Sequence, residues 1–166
     1  MAYIDRFIST DNIIVHLKPI VLGISDTAIK ANYAGFLSVS AITVYELAIK
    51  DIFNDFAAKK NKIFGVYTQT HFSKINGQIF IRDLTGKHII SFGEKYKDKF
   101  NKILNTKEAE GLSVHAISII NSYANLIQCR HDFVHKGTPT LTVNEVMQFY
   151  DFGKIVIHCL YDTMKR

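Results

Sequence analysis

The segment around Arg130 concentrates side chains of this chain that could carry out chemistry. Arg130, His131, Asp132 and His135 fall within about two turns of a predicted helix. An arginine is always charged and costly to bury alone, so Arg130 must reach an acid, a solvent-filled cleft or an anionic ligand. The carbonyl end of a helix favours a protonated imidazole, and Asp132 is expected to accept a hydrogen bond from the His135 ring.

These groups fit the cleavage of RNA by attack of a 2′-hydroxyl on the adjacent phosphate. That reaction needs proton transfer to and from oxygen and a fixed cation beside the charged phosphorane. His135 suits the first task, and the planar guanidinium of Arg130 suits the second without a metal or another cofactor. The same residues are consistent with a purely structural role, in which Arg130 forms a buried salt bridge.

The helix that positions these residues is predicted over residues 113–136. With about 100° of rotation per residue, one apolar face collects Ala116, Ile119, Ile120, Tyr123, Ile127 and Val134. Arg130 then lies roughly 40° from the centre of this face, and His135 lies about 100° away at its border. Cys129 is predicted to point away from the apolar side. Gly137 and Pro139 should end the helix.

The remaining pattern predicts an all-α bundle formed by one domain, residues 1–166. Apolar residues recur at helical spacing over residues 34–60 and again from Asp83, with a break at Gly93 and a connection at residues 105–111. Residues 1–30 are predicted to form one or two helical pieces that end or kink at Pro19. Residues 62–82 are either a short hairpin around Asn76-Gly77 or an irregular loop.

The last helix begins with the capping box Thr142-Val143-Asn144-Glu145. Because only a short turn separates it from the preceding helix, the two should pack antiparallel.

Other polar residues give weaker signals. Glu46 lies at the edge of an apolar helical face, where it either pairs with Arg130 or faces solvent. A lysine group either forms a solvated face or follows an RNA backbone; its members are Lys95, Lys97, Lys99 and Lys102. Scattered histidines without ligand spacing argue against a metal site; they are His16, His71, His88, His115 and His158.

Composition narrows the class of protein. The net charge of +5 permits a polyanionic partner such as RNA without requiring one. Two cysteines, Cys129 and Cys159, cannot build a disulfide framework or a four-ligand zinc site. No stretch reaches the roughly 18–20 apolar residues of a membrane span, and no signal peptide is apparent. A cytoplasmic protein without a membrane partner is therefore expected.

The sequence Arg130-His131-Asp132-Phe133-Val134-His135-Lys136-Gly137 resembles the Arg-x4-6-His signature of HEPN domains. The segments Tyr45-Glu46-Leu47-Ala48-Ile49, Lys74-Ile75-Asn76 and Ile90-Ser91-Phe92-Gly93-Glu94-Lys95-Tyr96 resemble other parts of stand-alone bacterial HEPN proteins. The capped final helix also fits, and the resemblance covers residues 30–165.

This resemblance implies an all-α fold and metal-independent endoribonuclease activity in toxin–antitoxin or anti-phage defence systems. It implies a homodimer in which two motifs form one cleft, and an antitoxin or another regulatory protein as a further partner. Arg130 would stabilise the transition state and His135 would be the catalytic histidine. His131, Asp132 and Glu46 would support them, and Lys136 would contact RNA.

One departure from the resemblance concerns control of the activity. HEPN toxins that are paired with a nucleotidyltransferase antitoxin often carry a tyrosine two residues after the histidine. Gly137 occupies that position, so control by modification of a tyrosine there is not expected. Two alternatives remain: a non-catalytic HEPN module that binds RNA, nucleotide or a protein, and a helical interaction protein in which Arg130 is structural.

Overall fold

Helices account for most of residues 2–165, the part of the chain that the computed structural model describes. No strand occurs within this range, which confirms the predicted all-α class. The helices are α1 (Ala2–Leu22), α2 (Thr27–Lys60), α3 (Lys62–Phe72), α4 (Ile81–Asp83), α5 (Glu94–His115), α6 (Ile119–Lys136) and α7 (Val143–Met164).

The middle of the chain is more helical than predicted. Asn61 ends α2 and caps α3, because its side chain accepts hydrogen bonds from the backbone N–H groups of Ile63 and Phe64. The predicted hairpin is wrong, since α3 continues to Phe72, whose ring stacks on Phe53 at 4.6 Å between centroids. Only residues 73–80 form the irregular connection, in which Gly77 has a φ of +76°.

Between α4 and α5 the backbone departs from regular α-helical geometry. A π-helical segment, Leu84–Ile89, is followed by a 3-10 turn, Ile90–Phe92. The chain then breaks at Gly93, as predicted, with a φ of +119°.

Three predicted boundaries are wrong. Helix α1 continues through Pro19 to Leu22, so Pro19 does not end this helix. The connection expected at residues 105–111 lies inside α5, and the real break follows at Ala116, which adopts the left-handed conformation with a φ of 53°. Helix α6 therefore begins at Ile119 rather than at residue 113. Gly111 is buried because the Ile117 backbone and the Ile119 side chain approach it too closely for a Cβ.

Helix α2 lies at the centre of the bundle and packs against α1, α3, α6 and α7. The fully buried ring of Tyr45 stacks between Tyr123 of α6 and Tyr150 of α7, at 5.7 and 5.6 Å between centroids. The Tyr45 hydroxyl donates to the Tyr150 carbonyl, and the Tyr123 hydroxyl donates to the Ile79 carbonyl at 2.8 Å. These contacts fix how α6 lies along α2, and thereby position the residues near its end.

Helix α7 begins as predicted. The Thr142 side chain accepts from the Glu145 backbone N–H, and the Glu145 carboxylate accepts from the Thr142 backbone N–H. Residues 137–142 connect α6 to α7, which pack side by side. Among the described residues, no helix has the combination of length and apolar character needed to cross a membrane.

Candidate functional site

The candidate site lies at the carboxyl end of α6. The helix stops at Gly137, which has a φ of 71° and donates its backbone N–H to the Phe133 carbonyl, as the sequence predicted. The first turn is fixed by Ser118, whose hydroxyl accepts from the Asn121 N–H at 3.0 Å. A defined start and a defined end hold Arg130 and His135 at constant positions relative to the bundle.

The buried face of α6 differs from the predicted one. Its members are Ile119, Ser122, Tyr123, Leu126, Ile127, Cys129 and Asp132. At about 100° per residue, this face is centred close to Leu126, so Arg130 lies roughly 40° from the centre while His135 lies on the opposite side of the helix. The predicted border position of His135 is wrong because Val134, counted as apolar face, is 50% exposed. The predicted orientation of Cys129 is also wrong, since its side chain is fully buried.

Arg130 is half-buried. Within residues 2–165, its guanidinium forms no hydrogen bond and no ion pair. The expected partner, Glu46, is engaged elsewhere: its carboxylate accepts the backbone N–H of Gly77 at 2.8 Å. Of the two alternatives for Glu46, the pairing with Arg130 is therefore wrong, and so is the structural alternative of a salt bridge to Arg130 within the described residues.

The same end of α6 carries two exposed imidazoles. The rings of His131 and His135 lie 4.5 Å apart between centroids, with an angle of 50° between their planes. They occupy positions i and i+4, so they are neighbours on the same side of α6. Because both rings are exposed, each can reach a ligand from solvent.

Asp132 does not accept a hydrogen bond from His135, contrary to the prediction. Its buried carboxylate accepts from Lys136 Nζ at 2.7 Å and from Gln128 Nε2 at 3.1 Å. These two hydrogen bonds lower the pKa of Asp132 below its usual value. Asp132 is thus a fixed anion that positions Lys136, and the charge of Lys136 is partly neutralised.

The charges at this end of α6 are mainly positive. Arg130 and Lys136 are cationic, and Asp132 is the one acidic residue of α6. The end of α6 therefore presents the Arg130 guanidinium on one side of the helix and the two imidazoles about 100° and 140° further around its axis.

The family model described as RiboL-PSP-HEPN matches the chain over residues 5–166. The chain belongs to this family. The match covers nearly the whole chain and confirms the resemblance to HEPN domains. HEPN domains are commonly ribonucleases of defence and toxin systems. Comparisons with curated proteins and with solved structures give no match.

An apolar surface adjoins the motif of this HEPN domain. The Phe133 ring packs edge-to-face against Phe36 of α2, with 5.3 Å between centroids. Phe36 is 63% exposed and Val134 is 50% exposed. We call Phe36, Phe133 and Val134 the motif-side apolar patch. Phe36 lies outside the helical spacing of the residues that α2 buries, and this spacing in the sequence could have predicted that Phe36 is exposed. The buried residues nearest to it at that spacing are Ala34, Leu37, Ser38 and Ala41.

The described residues contain no group of three or more histidine, cysteine or acidic side chains arranged to hold a metal ion. Both cysteines, Cys129 and Cys159, are free and buried. Burial raises the pKa of Cys159 to about 11, because it penalises the thiolate. These thiols are therefore not placed to act as nucleophiles or ligands at the surface.

Proposed function

We propose that this HEPN domain is an endoribonuclease of toxin or anti-phage defence type that cleaves RNA without a metal ion. The observation that carries the proposal is the state of Arg130. Arg130 is half-buried and its guanidinium makes no hydrogen bond or ion pair within residues 2–165, and the same end of α6 carries the exposed imidazoles of His131 and His135. A buried or half-buried cation without a protein partner is costly, and a bound phosphate would offset that cost.

The proposed reaction begins when a neutral imidazole, His135, removes the proton of an RNA 2′-hydroxyl. The 2′-oxygen attacks the adjacent phosphorus, and Arg130 stabilises the negative charge of the phosphorane. The bond between phosphorus and the 5′-oxygen then breaks while a protonated imidazole donates a proton to that oxygen. The products are a 2′,3′-cyclic phosphate and a 5′-hydroxyl end, and no other reactant is consumed.

A two-fold dimer would supply the groups that one chain cannot bring to a single phosphate. His135 follows Arg130 by five positions, so their side chains leave α6 in directions about 140° apart. Two copies joined at the ends of α6 would place two arginines and two sets of histidines around one cleft. The motif-side apolar patch supports this surface as the contact, because its exposed area would be covered on dimerisation.

Further parts of the proposal follow from the charge and exposure of the carboxyl end of α6. Lys136 is exposed beyond its pair with Asp132 and would contact the RNA backbone. An antitoxin or regulatory protein that covers the end of α6 would block access to the cleft. We expect the protein to act in the cytoplasm, where its substrate RNA occurs.

The deciding experiment measures cleavage of a defined RNA in the presence of EDTA. We expect cleavage by the wild type and a loss of about 10²-fold or more for both Arg130→Ala and His135→Ala. His16→Ala is the matched control, because His16 is an exposed histidine of α1. Its cleavage should equal that of the wild type.

The ends of the products test the chemistry. The proposed reaction gives 2′,3′-cyclic phosphate ends, which become 3′-phosphates when water hydrolyses the ring. It leaves DNA intact, since DNA lacks the attacking hydroxyl. Products with 3′-hydroxyl ends, or activity that EDTA abolishes, would overturn the mechanism. Equal activity of His135→Ala and His16→Ala would overturn the assignment of the site.

A further inference from the structure

Two imidazoles of α6 have the spacing of a metal-binding pair. His131 and His135 are four positions apart, and their ring centres lie 4.5 Å from each other. On a helix this spacing places two histidines on one face, as in helices that hold a zinc ion between two such residues. Both side chains are exposed, so an ion can reach them from solvent.

The separation of the two rings fits one shared ion. Zinc bonds an imidazole nitrogen at about 2.0–2.1 Å, and two such bonds that meet at roughly 90–110° separate the ring centres by about 4.5–5.2 Å. The observed 4.5 Å lies at the short end of this range. The ring planes differ by 50°, so the rings are not stacked face to face. Rotation of these exposed side chains can therefore direct one nitrogen of each ring to a common point.

The neighbouring cations are paired or leave the helix in other directions. Lys136 Nζ lies 2.7 Å from the Asp132 carboxylate, which partly neutralises its charge. At 100° per residue, Arg130 leaves α6 about 100° from His131 and about 140° from His135. The side of α6 that carries the two imidazoles is thus open to a metal cation.

We propose that His131 and His135 together bind one divalent transition-metal ion such as Zn²⁺, and that the bound ion inhibits RNA cleavage. Imidazole nitrogen is a preferred ligand of zinc, copper and nickel, whereas Mg²⁺ prefers oxygen ligands. The two imidazoles fill two positions of a tetrahedral ion, and water fills the others. The metal site depends only on the two rings, while the inhibition rests on the proposed function.

Inhibition follows from the lone pair that His135 uses in the proposed reaction. A neutral imidazole has one nitrogen that can accept a proton, and a metal ion binds at that nitrogen. His135 with an ion bound there cannot remove the proton of the 2′-hydroxyl, so cleavage stops until the ion dissociates. The ion is a reversible inhibitor of a reaction that itself needs no metal.

Calorimetric titration of Zn²⁺ into the full-length wild type, after removal of EDTA, tests the metal site. We expect saturable binding at micromolar Zn²⁺, weakened about tenfold or more in His131→Ala and in His135→Ala, because each variant keeps only one of the two ligands. His16→Ala is the matched control and should bind like the wild type, since His16 is an exposed histidine of α1. Mg²⁺ should give no saturable binding.

Thermal unfolding distinguishes this site from capture of zinc by thiols. An ion on the native pair stabilises the folded chain, so Zn²⁺ should raise the melting temperature of the wild type but not that of His131→Ala. Cys129 and Cys159 are buried, so zinc held by these thiols would bind the unfolded chain and lower the melting temperature. An equal fall in both proteins overturns the proposal.

Binding and inhibition are measured separately. Zn²⁺ should inhibit cleavage by the wild type at the concentration that saturates the site, and cleavage that remains in His131→Ala should need about tenfold more Zn²⁺ for half inhibition. Absence of saturable binding, or equal affinity of His131→Ala and the wild type, overturns the metal site. Full cleavage at saturating Zn²⁺ overturns the inhibition. A chain that binds Zn²⁺ at this pair but cleaves no RNA upholds the metal site and overturns the proposed nuclease.

Discussion

The Phe133 ring lies directly against the backbone of Gly35, where a Cβ at position 35 would overlap the ring. Phe133 lies three residues after Arg130 and two before His135, so this contact fixes the last turns of α6 against α2. Only glycine permits so close an approach. The orientation of the candidate catalytic residues therefore depends on a residue of α2 almost a hundred positions earlier in the sequence.

Gly35→Ala should displace Phe133 and the end of α6. Forcing a methyl group into a packed site costs about 1–3 kcal/mol of the free energy of unfolding, and we expect RNA cleavage to fall with it. Thermal unfolding and cleavage of a defined RNA measure the two effects. Gly86→Ala is the matched control, because a Cβ there meets nothing within 4 Å. Unchanged stability and cleavage in Gly35→Ala would contradict this role of the contact.

Phe36→Asp should prevent the proposed dimer while leaving the fold intact, since Phe36 is 63% exposed. We expect a monomer by analytical ultracentrifugation, loss of cleavage and a melting temperature close to that of the wild type. Ile63→Asp is the control: Ile63 is 80% exposed and lies on α3. A Phe36→Asp protein that remains dimeric would show that the contact lies elsewhere.

Glu46→Ala tests the corrected position of this carboxylate. It leaves the half-buried backbone N–H of Gly77 without its acceptor, which should cost about 1 kcal/mol of the free energy of unfolding. Because no ion pair links Glu46 to Arg130, cleavage per folded molecule should stay near the wild-type value. Glu46→Gln keeps an acceptor oxygen and should restore part of the stability. A selective loss of cleavage in Glu46→Gln, without unfolding, would instead support an effect on Arg130.

The sequence predicted those features that depend on local rules. The Gly137 cap, the Thr142 capping box and the break at Gly93 are each determined by a few neighbouring residues, and all three are confirmed. The helical class followed from the spacing of apolar residues. These signals can be recognised without knowing which helices pack against each other.

Features that depend on distant contacts were missed. Gly111 resembled a helix end but lies inside α5, because the chain returns at Ile117 and needs a small residue there. Glu46 could not be assigned a partner because Gly77 lies 31 residues away in an irregular segment. The buried face of α6 was rotated in the prediction because Val134, which was counted in that face, is 50% exposed and belongs to the motif-side apolar patch.

Acid should destabilise the fold partly through His88. Burial among aromatic rings lowers the pKa of His88, outweighing the hydrogen bond from its Nε2 to the Gln78 carbonyl at 2.9 Å and the attraction of Asp83. In the unfolded chain the pKa returns to about 6.5. As the pH falls below that value, the unfolded state binds the proton first, so the free energy of unfolding decreases until the lower folded pKa is passed.

His88→Gln removes this titrating group and retains a donor for the Gln78 carbonyl. Denaturant unfolding between pH 7.5 and pH 5, spanning the usual histidine pKa of about 6.5, should show a shallower loss of stability in His88→Gln than in the wild type. Part of the loss should persist, because burial also lowers the pKa of His158. Identical pH profiles for the two proteins would exclude a contribution of His88.

Arg130→Ala separates a functional arginine from a structural one. Since no ion pair within residues 2–165 involves Arg130, its removal leaves no described buried carboxylate without a partner. The free energy of unfolding should therefore change by less than about 1 kcal/mol, far below the roughly 3–5 kcal/mol expected for breaking a buried salt bridge. RNA cleavage should nevertheless fall by about 10²-fold or more.

Arg6→Ala should lose some stability but keep RNA cleavage, which is the opposite of the result expected for Arg130→Ala. Arg6 pairs with Asp51 through Nε at 2.7 Å and Nη2 at 3.2 Å on the surface, so its loss should cost up to about 1 kcal/mol and leave cleavage unchanged. Melting temperature and cleavage are measured for both variants side by side. If Arg130→Ala loses much of its melting temperature while His135→Ala remains as active as the wild type, Arg130 supports the fold and the nuclease assignment fails. Two inactive, normally folded variants at positions 130 and 135 support the assignment, because only a shared chemical role links an arginine and a histidine that leave the helix in different directions.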